Sequence, residues 1–115
     1  MASVTIKSLA TNDLISGTSD AAVDTLYFAN SVTAQLNTVT CYNSHTLPVK
    51  VTFYIAQFNV AVTGHKPAWV QTIAAGKSEI IAGLAGHVIP FAGALQAFAG
   101  TTNVIQVNAS GMEIA

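Results

Sequence analysis

Across residues 48–56 apolar and polar side chains alternate. Val49, Val51, Phe53 and Ile55 fall on one side and Lys50, Thr52 and Tyr54 on the other, the period of two that predicts a strand. Upstream, residues 31–42 are rich in Val, Thr and Leu, and the polar link Asn43-Ser44-His45-Thr46 reads as the turn of a long hairpin between the two segments. Leu36 and then Val39 and Cys41 lose strict alternation across Asn37-Thr38, which predicts a β-bulge. Residues 69–74, the turn Ala75-Gly76-Lys77 and residues 78–82 predict a second hairpin. Short strands follow at 88–91, 95–98 and 104–107, with Gly100-Thr101-Thr102-Asn103 as a turn and residues 111–114 as a terminal edge strand. Residues 21–26 alone are compatible with a helix, and the following Tyr27-Phe28 favours a strand. About seven to nine strands without an amphipathic helix define an all-β chain, an antiparallel β-sandwich or jelly-roll-like domain.

The first twenty residues differ in kind. They are polar, with isolated Val4, Ile6, Leu9, Leu14 and Ile15, and predict an N-terminal arm over 1–20 ahead of a β-sandwich domain over 21–115. The arm is expected either along its own domain or on a neighbour. A length of 115 residues suits one core burying about two-thirds of the unfolded chain's surface.

Charge changes this picture most. Asp, Glu, Lys and Arg make up 8% of the chain and hydrophobic residues 51%, with a mean hydropathy of +0.51; a soluble domain carries about a quarter charged residues. No charge falls between Glu79 and Glu113, between Asp24 and Lys50, or between Lys50 and Lys66. Lipid or other protein subunits must cover so apolar a surface. Residues 80–99 are long enough to cross a core of about 30 Å as a helix. Gly83, Gly86, Gly93 and Pro90 interrupt them, His87 and Gln96 would need partners in the bilayer, and no Lys cluster flanks them. Protein contacts are therefore expected and no membrane. The N-terminus lacks the basic start and apolar core of a signal peptide, so synthesis and retention in the cytoplasm are expected. A net charge of −1, four Lys and no Arg offer no stripe for a phosphate backbone, and no direct nucleic-acid partner is expected.

Candidate chemistry adds little. Cys41 is alone, which removes internal disulfides and multi-cysteine metal sites, and in an apolar strand it reads as a small buried hydrophobe. His45, His65 and His87 show no HxH or HxxxH spacing, so no metal, cofactor or catalytic residue is expected; only a threefold axis, gathering one histidine per subunit, would change that. Asp20, Asp24 and Glu79 read as solvated surface. Trp69, Tyr54, Tyr42 and Phe58 would suit a sugar platform, although such aromatics more often fill a core or an interface. Residues 57–68 hold the candidate partner interface: Phe58, Val60, Val62, His65, Lys66 and Pro67, with Trp69 beside them. The other reading makes Val60 and Val62 one more short edge strand.

The succession Thr25-Leu26-Tyr27, residues 36–43 and 49–55, Ile73-Ala74-Ala75-Gly76-Lys77-Ser78, Leu95-Gln96-Ala97 and the close Asn108-Ala109-Ser110-Gly111-Met112-Glu113-Ile114 resembles small structural proteins of tailed bacteriophages. The resemblance spans about residues 22–115 and consists of strand-and-turn patterns rather than a chemical motif. Where many relatives carry an acidic residue before the strand at Leu95, this chain has Ala92-Gly93-Ala94, and Gly93 is expected to carry the turn. The resemblance implies a non-enzymatic virion component of the capsid surface. Its first form is a capsid decoration or cement protein bound to the major capsid protein. Tail or fibre attachment, or a glycan-binding module, is the alternative. Closed symmetry and multivalency favour a homotrimer.

Overall fold

Alternation sorts the side chains of the long strands into one buried and one open row. In the computed structural model, which describes residues 3–58, 62 and 64–115, Ile105, Val107 and Ala109 of β9 (Ile105–Ile114) point inward with Ala34, Leu36, Val39 and Cys41 of β3 (Thr33–Asn43). The same core takes Val49, Val51 and Phe53 of β4 (Val49–Ala56) and Leu95, Ala97 and Ala99 of β8 (Ala94–Ala99). The inner faces of two sheets thus enclose one apolar layer.

β1 (Val4–Leu14), β2 (Asp24–Phe28), β5 (Trp69–Ile73), β6 (Ser78–Ile80) and β7 (Val88–Ile89) complete the strands. One sheet has the order β1-β9-β3-β6 with β7 also on β3, the other β2-β8-β4-β5, and every pairing is antiparallel. The pairs are nested: β1 with β9, β2 with β8, β3 with β6 and β7, β4 with β5. The strands make one long ribbon that turns back between β4 and β5 and is rolled up, so that β9 also meets β3 and β8 meets β4. This is a jelly roll. Among the described residues the only helical turns are the 3-10 turns Asp20–Ala22 and Ala82–Leu84, and no helix is long and apolar enough to cross a membrane.

The expected bulge is present, with Leu36 opposite Gly111 but Thr38 opposite Ser110. Both expected hairpins are corrected. β3 and β4 lie in different sheets, as do β5 and β6, so each polar link crosses from one sheet to the other. Asn43 holds the two crossings together. Its side chain is buried, donates to the carbonyls of Leu47 (2.9 Å) and Ile73 (3.0 Å), and accepts from the His45 amide at 2.9 Å. Residues 104–107 and 111–114 form not two strands but the single β9, which is interior rather than an edge. Ala92, not Gly93, takes the left-handed conformation of its turn (φ 64°). Gly93 serves close packing instead, since a Cβ there would stand 2.6 Å from the Ala56 carbonyl oxygen. Within the N-terminal segment, residues 4–14 lie along the domain as the outer strand β1.

Candidate interaction surfaces

Where the chain passes from β4 to β5, the described residue Val62 lies against its own sheet. Val62 is 1% exposed and packs with Tyr54 and Ala56 on the outer side of the four-stranded sheet, with Val23 and Phe98 alongside. Tyr54 and Phe98 stack with ring centroids 6.1 Å apart. The Gly64 amide donates to Asp20 at 3.1 Å and the Ala68 amide to the Phe53 carbonyl at 2.8 Å, which ties down the part that leads into β5. Phe58 (57% exposed), His65, Lys66 and Pro67 face outward, whereas Val60 lies outside the described residues. Trp69 lies at the edge of the sandwich against Gly83, where a Cβ would stand 2.2 Å from the ring, and its indole N–H donates to Gln71 at 3.0 Å. The structure therefore keeps Val62 inside and leaves Phe58, His65, Lys66, Pro67 and Trp69 accessible. The four aromatics of the sugar platform are not gathered: Tyr42 and Tyr54 lie on the outer sides of opposite sheets.

A second surface was not visible in the sequence. Register places Val4, Ile6, Ser8 and Leu14 of β1 on the outer side of the five-stranded sheet, beside Gln106, Asn108, Ser110, Met112 and Ile114 of β9. Thr33, Gln35, Thr38, Thr40 and Tyr42 of β3, Ser78 and Ile80 of β6, and Val88 of β7 continue the same face. None of these side chains is charged. The middle is a band of Ser, Thr and Asn around a shallow depression lined by Ser8, Thr11, Thr38, Thr40, Asn108 and Ser110. Apolar side chains stand at both ends, with Ile6 85% exposed. Strand rise and spacing give a face of about 30 by 15 Å. Alternation in the one-dimensional pattern would have flagged these rows only once their partners were known.

The acidic residues expected on free surface are bound instead. Asp24 accepts from the amides of Ser16 (2.6 Å) and Gly17 (3.1 Å), and Glu79 from the Ala74 amide (2.9 Å) and the Gln71 side chain (3.1 Å). Cys41 is buried, and burial, aided by the Glu79 charge, pushes its thiol up to about 12, so thiolate chemistry is suppressed. Among the described residues no three His, Cys, Asp or Glu side chains converge as a metal site.

At one end of the sandwich Glu113 accepts from the Tyr27 hydroxyl of the opposite sheet and from Lys7 at 3.3 Å. The Tyr27 bond, more than Lys7, holds the Glu113 carboxyl below its usual value despite an opposing effect of burial. Burial first and Glu113 second push the Tyr27 phenol up. A lowered carboxyl stabilises the fold above the ordinary glutamate value of about 4.3, and that contribution is lost as pH falls through the folded value. The raised phenol contributes below its ordinary value and loses that contribution as pH rises through the folded one. Urea titrations should therefore show a steeper loss of stability below pH about 4.3 in the wild type than in Glu113→Gln; parallel profiles would remove this role.

The fold and these faces define an all-β domain of jelly-roll topology. No protein-family model and no curated protein sequence matches the chain. Among solved structures, the chain is similar to one described as Bacillus endospore appendages that form a family of disulfide-linked pili (TM-score 0.48, 12% identity, covering 99% of this chain and 88% of that one). It is also similar to one from infectious bursal disease virus, Gx strain (TM-score 0.47, 11% identity, 98% of this chain and 31% of that one). At such scores, what those proteins assemble with does not transfer to this chain.

Proposed function

We propose that this protein is a non-enzymatic virion structural protein, a decoration or cement protein of a bacteriophage capsid, whose uncharged outer sheet packs against the major capsid protein. The observation that carries the reading is that face, where five strands present no charge to solvent. A flat row of hydroxyls and amides with apolar ends makes many neutral contacts and strands no buried ion on docking. Repetition over a lattice then raises the effective concentration of each further contact.

The test is co-sedimentation of the purified protein with phage shells, comparing the wild type with Thr38→Lys. Thr38 is exposed mid-face, so the lysine should leave folding stability within about 0.5 kcal/mol. It should weaken shell binding tenfold or more by placing an unpaired charge in the contact. Failure of the wild type to bind shells, or equal binding by Thr38→Lys, overturns the reading. Selective binding to tails would support the tail-associated form instead.

A further inference from the structure

β1 is the outer strand of its sheet, paired among the described residues only with β9, and its backbone shows which groups turn away from that partner. Ser3 and Ala115 exchange both amide bonds, Ser3 donating at 3.1 Å and Ala115 at 3.0 Å. In an antiparallel pair such exchanges alternate along the strand. Thr5, opposite Glu113, and Lys7, opposite Gly111, therefore turn their amides toward β9, while Val4, Ile6 and Ser8 turn theirs to the open edge. The register is unbroken from Val4 to Ser8 and shifts only beyond it, so these residues form a regular, unbulged edge. Edges of this kind template another strand.

We propose that β1 pairs antiparallel with β1 of a second copy of this chain, about a two-fold axis through Ile6. That register makes Ile6 face Ile6 of the second copy and Val4 face Ser8, engaging every outward amide of the segment. The chemistry is self-complementary. A lone lysine on an edge ordinarily discourages pairing, but Lys7 is bonded to Glu113 at 3.3 Å and would stand opposite a threonine. A two-fold through Lys7 would oppose two lysines and is disfavoured. The Ile6 register also brings the most exposed apolar side chain of the uncharged face against its own copy and joins two such faces into one. A five-residue strand contact is smaller than the roughly 1,000 Å² of a stable specific interface, so the pair is weak and concentration-dependent. It does not depend on the capsid reading.

The experiment is sedimentation velocity of the full chain over a wide concentration range, with two variants. The wild type should approach twice 11.9 kDa at high concentration. Ile6→Pro removes an amide the chain's own ladder does not use and is tolerated on an edge. It should keep the thermal midpoint and raise the concentration for pairing tenfold or more. Ile6→Cys should give a disulfide-linked dimer on mild oxidation, since directly paired residues stand about 5.5 Å apart at Cα, within disulfide reach; Leu47→Cys, exposed away from the edge, should not. This cross-link decides the matter even if Ile6→Pro misfolds. A monomer at all concentrations, a mass three times 11.9 kDa indifferent to Ile6→Pro, or cross-linking no greater at Ile6→Cys than at Leu47→Cys overturns the proposal. Shell binding is read separately through Thr38→Lys, so either reading can fail alone.

Discussion

Phe53→Ala should cost about 3–5 kcal/mol and lower the melting temperature by about 10 °C or more. Phe53 is among the largest side chains with no solvent exposure, and it lies on β4 between Ala97 of β8 and Trp69 of β5. Its neighbours across the strands are an alanine on one side and an edge tryptophan on the other, and Trp69 is itself braced against Gly83. The surroundings cannot collapse readily into the space a phenyl ring leaves, which is the condition for the upper end of the range. Domains of this size have about 5–15 kcal/mol of stability in all, so the variant should be populated as unfolded chain under mild urea. Equilibrium urea unfolding at constant m-value measures it, and a loss below about 1 kcal/mol would mean that Phe53 is not central to the core.

Gly111→Ala is the second large effect, expected at about 2–3 kcal/mol although it adds one methyl group. Gly111 lies in β9 between β1 and β3, opposite Lys7 and Leu36, next to the β3 bulge. A Cβ there would stand 2.1 Å from the Gln35 carbonyl oxygen and 2.9 Å from a Leu9 methyl. The first obstacle is backbone held in a paired strand, so relief requires β3 to move and its ladder to distort. Gly100→Ala is the control. Its Cβ would meet nothing nearer than the Lys50 carbonyl at 3.8 Å, and its stability should be nearly unchanged. Equal thermal midpoints for the two variants would refute the close approach of β9 to β3.

The all-β sandwich was legible because period-two alternation at 49–55 and the break at Asn37-Thr38 are local signals, and both correspond to structure. Pairing was not. Alternation says that a segment has two faces but not which sheet it joins, and the links at 43–48 and 74–77 have the composition of hairpin turns while serving as crossings between sheets. The same blindness hid the uncharged face, whose residues come from five strands. Sparse charge announced that a surface needed cover; only register located it. The candidate bend at 57–68 was marked by its apolar residues, yet Val62 points at its own sheet, because Tyr54 and Phe98 make that outer side apolar too. Tyr27 and Glu113 are 86 positions apart, and no local pattern links them.

The nested ribbon has a consequence for how the molecule is made. β9 lies between β1 and β3, so β1 has no strand partner, and β3 has only β6 and β7 on its other side, until residues 105–114 have been made. The pairs that β2, β3 and β4 make with β5 to β8 can form earlier, and they would wait with an open flank where β9 belongs. Closure of the five-stranded sheet is therefore tied to the synthesis of residues 105–114, at the slow pace of folds dominated by distant pairings. During that interval the amides that later meet β9 are exposed to the same strands of neighbouring nascent chains.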